Sequence, residues 1–109
     1  MILYFVRHGE SEGNRLRIAT GWTDVPLSAR GEEQARAAAE KLKEISFSAC
    51  YTSELKRAYT TAEICAAGRG IPIVRDIRLN EQFLGAFENR SMDEMIENDP
   101  AFRLFLDDW

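Results

Sequence analysis

The sequence has few of the side chains from which metal sites and cross-links are built. Its 109 residues contain one histidine, His8, and two cysteines, Cys50 and Cys65, which form no CxxC pair. Because zinc sites draw on several closely spaced cysteines and histidines, we expect no bound metal. Both cysteines stand in apolar stretches, and we expect them to be buried free thiols in a reducing compartment.

A long hydrophobic run is also lacking. The opening MILYFV, residues 1–6, has no basic region before it and no cleavage site of small residues after it. It is shorter than the core of a signal peptide and far shorter than the ~20 residues of a membrane span. The net charge of −4 disfavours nucleic acid and anionic lipid as partners. We therefore expect a cytoplasmic protein with no membrane or nucleic-acid partner, in which a local cluster of basic groups would hold any anionic substrate.

What the sequence does contain is the pattern of one globular domain, with 45% hydrophobic and 29% charged residues. Strand and helix patterns alternate in the order β–α–β–α–β. The predicted strands are residues 2–6, 47–52 and 71–76, and the predicted helices are 29–44 after an N-cap at Ser28 and 54–67 after an N-cap at Ser53. An ordered loop over 78–91 leads to a last helical region that follows Ser91 and is broken at Pro100.

This alternation predicts an α/β fold, with a mainly parallel sheet and flanking helices. The continuous apolar run 2–6 is typical of a central strand that is covered on both faces. Ligands of such sheets bind beyond the carboxyl ends of the strands. RHGE follows the first predicted strand and TSELKR follows the second, so both segments are expected at that edge.

The residues at this edge are suited to a phosphate group. Arg7 offers a planar fork of donors, and Gly9 allows the backbone to approach closely. Ser11 and Asn14 can add neutral hydrogen bonds. Arg57, near the start of a predicted helix, can reach back over the helix N-terminus, where free N–H groups favour an anion. Taken alone, a helical arginine is more often solvated.

His8 is then best suited to be a nucleophile. A neutral imidazole can attack phosphorus in line and form a phosphohistidine, while the arginines stabilise the charge of the transition state. Glu81, in the loop after the third predicted strand, is the candidate proton donor, although alone it would be an ordinary loop carboxylate. This chemistry requires neither a metal nor another cofactor.

Four motifs in order resemble the histidine phosphatase superfamily, also called phosphoglycerate mutase-like. They are RHGESEGN, GWTDVPLSARGEEQA, YTSELKRAYTTAEI and RLNEQFLGAFE. The resemblance implies that His8 accepts the phosphoryl group and that Glu81 donates the proton. It also implies binding roles for further residues, namely Arg7, Asn14, Thr20, Gly21 and Arg57.

The same resemblance implies a missing part. Members of the family are usually about twice as long, and their second half supplies further strands and a second histidine that this chain lacks. We therefore expect residues 1–109 to be the N-terminal part of a single histidine phosphatase domain whose C-terminal half is absent. An exposed sheet edge would then favour self-association or a missing partner segment. The apolar residues of 102–109 are expected to belong to the core.

Three functions remain open. The leading one is a phosphomonoester hydrolase that acts on a small phosphorylated metabolite, because Gln82-Phe83-Leu84 follows Glu81 where the mutases have an Arg-His-Tyr stretch. A cofactor-dependent phosphoglycerate mutase is the alternative, since TGWTDVPLS is mutase-like. The third is a non-catalytic phosphate-binding or assembly fragment.

Overall fold

The computed structural model describes residues 1–108. Its α-helices are α1 (Glu12–Arg15), α2 (Ala29–Leu42), α3 (Lys56–Ala66), α4 (Met92–Asn98) and α5 (Pro100–Asp108). Its strands are β1 (Cys50–Thr52) and β2 (Ile73–Arg75), and two 3₁₀ turns cover Ile77–Leu79 and Gly85–Phe87. Among these residues no helix is long and apolar enough to cross a bilayer.

The predicted α/β class is confirmed by a parallel pair of strands with helices beside it. β1 and β2 pair in the register Cys50 to Ile73, Tyr51 to Val74 and Thr52 to Arg75. α3 forms the crossover between them and contacts both strands as well as α2. The strands are shorter than the predicted 47–52 and 71–76, with three residues each. Cys50 and Cys65 are free, as expected, and only half-buried.

The prediction of a central strand over residues 2–6 is wrong. No strand pairs with this run within residues 1–108, and its side chains are between 43% and 91% exposed. The Tyr4 ring of this run packs edge-on against Phe47, with centroids 5.2 Å apart. Strand propensity alone does not make a strand, because the backbone groups also need a neighbouring strand to pair with.

The cap predicted for α2 is confirmed, whereas the cap predicted for α3 is wrong. Ser28 caps α2, since its Oγ accepts a hydrogen bond from the Gly31 N–H at 3.1 Å. The predicted cap of α3 by Ser53 is wrong, because the helix begins at Lys56 and Leu55 occupies the cap position. The Lys56 N–H donates instead to Asp24 Oδ1 at 2.7 Å, so a distant segment satisfies the helix start.

The C-terminal segment packs around a small apolar cluster. Ser91 caps α4 by accepting from the Glu94 N–H, and α5 begins at Pro100, as expected for a break there. Phe102 is only 2% exposed and packs on Met95, whereas Leu104 is 70% exposed, so the predicted core role of 102–109 holds for part of that segment. Trp109 lies outside the described residues.

The Ser28 cap predicts a measurable loss of stability. In Ser28→Ala, the first turn of α2 loses its cap, and Glu10 loses the hydroxyl that donates to its backbone and side-chain oxygens. We expect the free energy of unfolding to fall by about 1–2 kcal/mol in urea titrations followed by circular dichroism. Ser48→Ala, at an exposed position outside the helices, is the matched control and should change it by less than about 0.5 kcal/mol. Equal effects of the two substitutions would contradict the capping role.

Candidate active site

His8 is held by hydrogen bonds at both ring nitrogens. Nδ1 lies 2.7 Å from the backbone oxygen of Gly9, and Nε2 lies 2.8 Å from Glu81 Oε1. A carbonyl oxygen can only accept, so Nδ1 carries a proton and donates to Gly9. Nε2 is therefore the ring nitrogen whose lone pair can be available for chemistry.

Glu81 is an ionised partner of His8 rather than a protonated acid in this arrangement. The hydrogen bond from His8 holds the pKa of Glu81 below its ordinary value. Partial burial of the carboxyl opposes this shift, and the charge and hydrogen bond of Arg57 reinforce it. An ionised Glu81 can only accept in its hydrogen bond with His8, and it can act as an acid only after it takes up a proton.

Arg57 is buried and bonded to backbone carbonyls, so it is not a solvated helical arginine. Its side chain is 1% exposed at the second position of α3. Nη1 donates to the Thr23 carbonyl at 2.8 Å and Nη2 to the Gly21 carbonyl at 2.5 Å. Nε reaches the same Glu81 oxygen that His8 contacts, at 3.4 Å. The guanidinium therefore joins the second and fourth sequence motifs and lies beside the His8–Glu81 pair.

The segment 21–23 fits closely against the loop that carries Glu81. The Trp22 indole N–H donates to the Glu81 carbonyl at 2.6 Å. A Cβ at Gly21 would lie 1.9 Å from the Gln82 carbonyl oxygen, so only glycine allows this approach. Gly21 thus takes part through its backbone, as a spacer and as the acceptor for Arg57.

Arg7, His8 and Asn14 line one open cleft of about 450 Å³, together with Gly9, Glu10 and Gln34. The structure brings these three predicted site residues to one surface. Gly9 lets this loop pack closely against α2, because a Cβ at this position would lie only 2.2 Å from the Gly31 carbonyl oxygen.

Ser11 and Thr20 lie behind the cleft and support its loop. The buried Ser11 hydroxyl accepts from the Asn14 N–H, and the Ser11 N–H donates to Asn14 Oδ1; these two bonds form the capping box of α1. Thr20 packs on Gly13, where a Cβ would lie 2.9 Å from its side-chain oxygen. Ser11 therefore acts on the cleft through the orientation of Asn14.

Sequence reasoning missed Glu88, the most heavily hydrogen-bonded carboxylate in this region. It accepts from the backbone N–H groups of Gly21, Trp22, Thr23 and Leu84 and from the Thr23 hydroxyl. Nothing distinguishes it from the other acidic residues by periodicity, because its partners are mostly main-chain groups. Its one sequence signal is its place at the end of the fourth motif, RLNEQFLGAFE.

Known proteins match the chain in sequence and in structure. A probable phosphoglycerate mutase GpmB of Escherichia coli O1:K1 / APEC is 40% identical over 101 residues, which are 93% of this chain and 47% of that protein. Bacillus stearothermophilus YhfR superposes with a TM-score of 0.85 at 43% identity and covers 91% of this chain and 50% of its own. The α-ribazole phosphatase of Shigella flexneri gives a TM-score of 0.83 at 34% identity, over 95% and 52%.

The sequence matches one protein family over nearly its whole length. The chain spans about half the length of these relatives and structural neighbours. Residues 3–109 match the sequence profile of the histidine phosphatase superfamily (branch 1). The four motifs occur in order, and the histidine and the arginine that they contribute both contact the same glutamate. The chain belongs to the histidine phosphatase superfamily.

Proposed function

We propose that the protein is a phosphomonoester hydrolase that works through a phosphohistidine at His8 and uses no metal. One observation carries the proposal. His8 Nε2 and the buried Arg57 share one oxygen of Glu81, at 2.8 and 3.4 Å, so nucleophile, proton carrier and fixed positive charge lie together. Phosphoryl transfer needs those three functions and little else.

The first step begins with the proton between His8 and Glu81. An arriving phosphoryl dianion favours the neutral form of Glu81, which takes the proton from Nε2 and exposes the lone pair of that nitrogen. Nε2 then attacks phosphorus as the bond to the ester oxygen breaks, and the leaving oxygen takes the proton from Glu81. The products are phosphohistidine and a free alcohol.

The second step reverses these roles. The Glu81 carboxylate removes a proton from water as the water oxygen attacks phosphorus and the P–N bond breaks. Inorganic phosphate leaves, and Glu81 returns the proton to Nε2, which restores the hydrogen bond between the two side chains. In both steps we propose that Arg7, Asn14 and Arg57 bind the phosphoryl oxygens, where fixed charge stabilises the transition state. Ser11, Thr20 and Gly21 shape the loops that hold them.

The surroundings of Glu81 favour a hydrolase with an apolar leaving group. Trp22 and Phe83 are 47% and 60% exposed, and their ring centroids lie 5.8 Å apart. Trp22 is anchored on the Glu81 carbonyl, so the pair stands next to the group that would protonate the leaving oxygen. Stacking on these rings suits an aromatic or aliphatic alcohol better than a small charged one.

A mutase is the second candidate, because the relative at 40% identity is described as a probable phosphoglycerate mutase. Other neighbours favour a phosphatase, among them a mycobacterial glucosyl-3-phosphoglycerate phosphatase with a TM-score of 0.83. The two differ in the fate of the phosphoryl group, which a mutase returns to an isomer of the substrate and a hydrolase passes to water.

We further propose that the described fold is the N-terminal part of one domain, which is completed by additional chain or by association. The support is the apolar run 1–6, exposed and unpaired within residues 1–108, in a chain that spans half of its relatives. The carboxyl end of this run carries Arg7 and His8, so whatever pairs with it also borders the site.

Labelling with acetyl phosphate tests the nucleophile directly. We expect acid-labile, base-stable phosphate on the chain, its loss to background in His8→Asn, and slower uptake in Arg57→Lys. Arg30→Lys, at an exposed position of α2, is the matched control and should label like the unmodified chain. Phosphate that binds, and binds more weakly in Arg7→Ala and Arg57→Ala, without any labelling would favour the non-catalytic alternative.

A substrate panel separates hydrolase from mutase in the same preparation. The hydrolase predicts release of inorganic phosphate from naphthyl or phenyl phosphate at a higher kcat/KM than from 3-phosphoglycerate. Interconversion of 2- and 3-phosphoglycerate without phosphate release would overturn it.

The lowered pKa of Glu81 predicts acid sensitivity. Its pKa in the unfolded chain is about 4.3, so the stability that its ionised form contributes is present above that pH. That contribution is lost as the pH falls through the lower pKa of the folded chain. Urea titrations between about pH 6 and pH 3 should show a smaller loss of stability in Glu81→Gln than in the unmodified chain. Glu63→Gln, on the exposed side of α3, should retain the full loss, and identical curves for Glu81→Gln would refute the pairing.

The exposed run predicts self-association. Multi-angle light scattering should give a mass above the 12.4 kDa of one chain, rising with concentration. Phe5→Glu, at a side chain that is 91% exposed within the run, should lower the mass, while Leu104→Glu on α5 should not. A strictly monomeric chain at all concentrations would rule this out.

A further inference from the structure

We propose that Glu88 is a positioning residue that sets Arg57 and Glu81 in place through the peptide groups of residues 21–23, without touching His8. The inference rests on the proposed function, because it assumes that the His8–Glu81–Arg57 cluster is the reacting site. It adds a residue that the motif-based account does not use.

Glu88 gathers the N–H groups of three successive residues. Its Oε1 accepts from the N–H groups of Gly21 at 2.7 Å and Trp22 at 2.9 Å. Its Oε2 accepts from the Thr23 N–H at 3.2 Å and from the Thr23 hydroxyl at 2.6 Å. A carboxylate with acceptors on both oxygens can hold several donors at once, so this short loop has a fixed orientation.

Arg57 binds carbonyls of the same loop. The carbonyls of Gly21 and Thr23 accept from Nη2 and Nη1, while the N–H groups of both residues are bound to Glu88. The N–H groups of Gly21 and Thr23 thus bind the negative Glu88 carboxylate, and their carbonyl groups bind the positive Arg57 guanidinium. This alignment of peptide dipoles favours both charges, and it links Glu88 to Arg57 although the structure records no direct bond between them.

A second link runs from Glu88 to Glu81. The Leu84 N–H donates to Glu88 Oε1 at 3.2 Å, which ties the Glu81 loop to the same carboxylate. Trp22, whose N–H is held by Glu88, donates its indole N–H to the Glu81 carbonyl at 2.6 Å. The Glu81 carboxylate and the Arg57 guanidinium contact each other. The positions of both groups therefore depend on Glu88.

Glu88 stays ionised under neutral conditions. Partial burial raises the pKa of its carboxyl, but the hydrogen bonds from Thr23, Trp22, Leu84 and Gly21 outweigh burial and hold the pKa below its ordinary value. The negative charge that orients the loop is thus present at neutral pH.

Glu88→Gln is the direct test, since it keeps the shape of the side chain and removes its charge. We expect the acetyl phosphate labelling rate of His8 to fall on the order of 10- to 100-fold, because small displacements of a reacting group have effects of that size. Glu88→Asp should recover part of the rate. Glu97→Gln, an exposed glutamate with no hydrogen-bond partner recorded within residues 1–108, is the matched control and should label normally.

A double-mutant cycle distinguishes positioning from general stabilisation. If Glu88 acts through Arg57, Glu88→Gln should slow labelling far less in an Arg57→Lys background than in the unmodified one. Equal slowing in both backgrounds, with circular dichroism unchanged, would overturn the proposal.

Nuclear magnetic resonance tests the positioning role of Glu88 without relying on phosphoryl transfer. In Glu88→Gln we expect shifts of the backbone amides of 21–23 and of the Arg57 Nε–H resonance, while amides in the middle of α2 stay in place. If the unmodified chain takes up no phosphate but these shifts occur, the proposed function fails and the positioning role stands. If the Arg57 resonance does not move, the positioning role is wrong whatever the labelling shows. Should Glu88→Gln fail to fold, Glu88→Asp, which shortens the side chain by one methylene, should shift the same amides and the Arg57 Nε–H resonance, and an unmoved Arg57 resonance would contradict the positioning role.

Discussion

Burial of the Arg57 guanidinium is the constraint on which the rest of the site depends. A buried charge is tolerated only when its donors are satisfied and an opposite charge is near. Arg57 meets both conditions with the carbonyls of Gly21 and Thr23 and with the Glu81 carboxylate. Removing it would leave two carbonyls without their partner, at a cost of about 1–3 kcal/mol for each one that stays buried. The pocket thus cannot lose this side chain without rearranging its loops.

The site is assembled from segments that are distant in sequence. His8 and Glu81 are 73 residues apart, and Arg57 is 36 residues from Gly21. α3 contributes the arginine from its first turn, and Asp24 fixes that turn by accepting from the Lys56 N–H. Residues 21–24 therefore contact α3 at both of their ends, through Gly21 and through Asp24. This loop has no regular secondary structure, yet it orients the Arg57 guanidinium.

The sequence could predict what depends on local pattern or on short motifs. The helix after Ser28, the break at Pro100 and the choice of His8, Arg57 and Glu81 follow from such signals. The strand over 2–6 could not be judged locally, because a strand exists only where another segment pairs with it. The roles of Asp24 and Glu88 could not be predicted for a related reason. Both bind backbone amides of distant residues, and a pattern of side chains does not reveal such contacts.

The central claim is that the Nδ1 bond to the Gly9 carbonyl leaves Nε2 as the reactive nitrogen of the single histidine. The most direct measurement is ¹⁵N and ³¹P spectroscopy of the phosphorylated chain with labelled imidazole, in which only one histidine contributes. The account predicts a phosphoryl group bonded to Nε2, with the Nδ1 proton retained. A phosphoryl group on Nδ1, or an Nδ1 that has lost its proton in the resting chain, would contradict it.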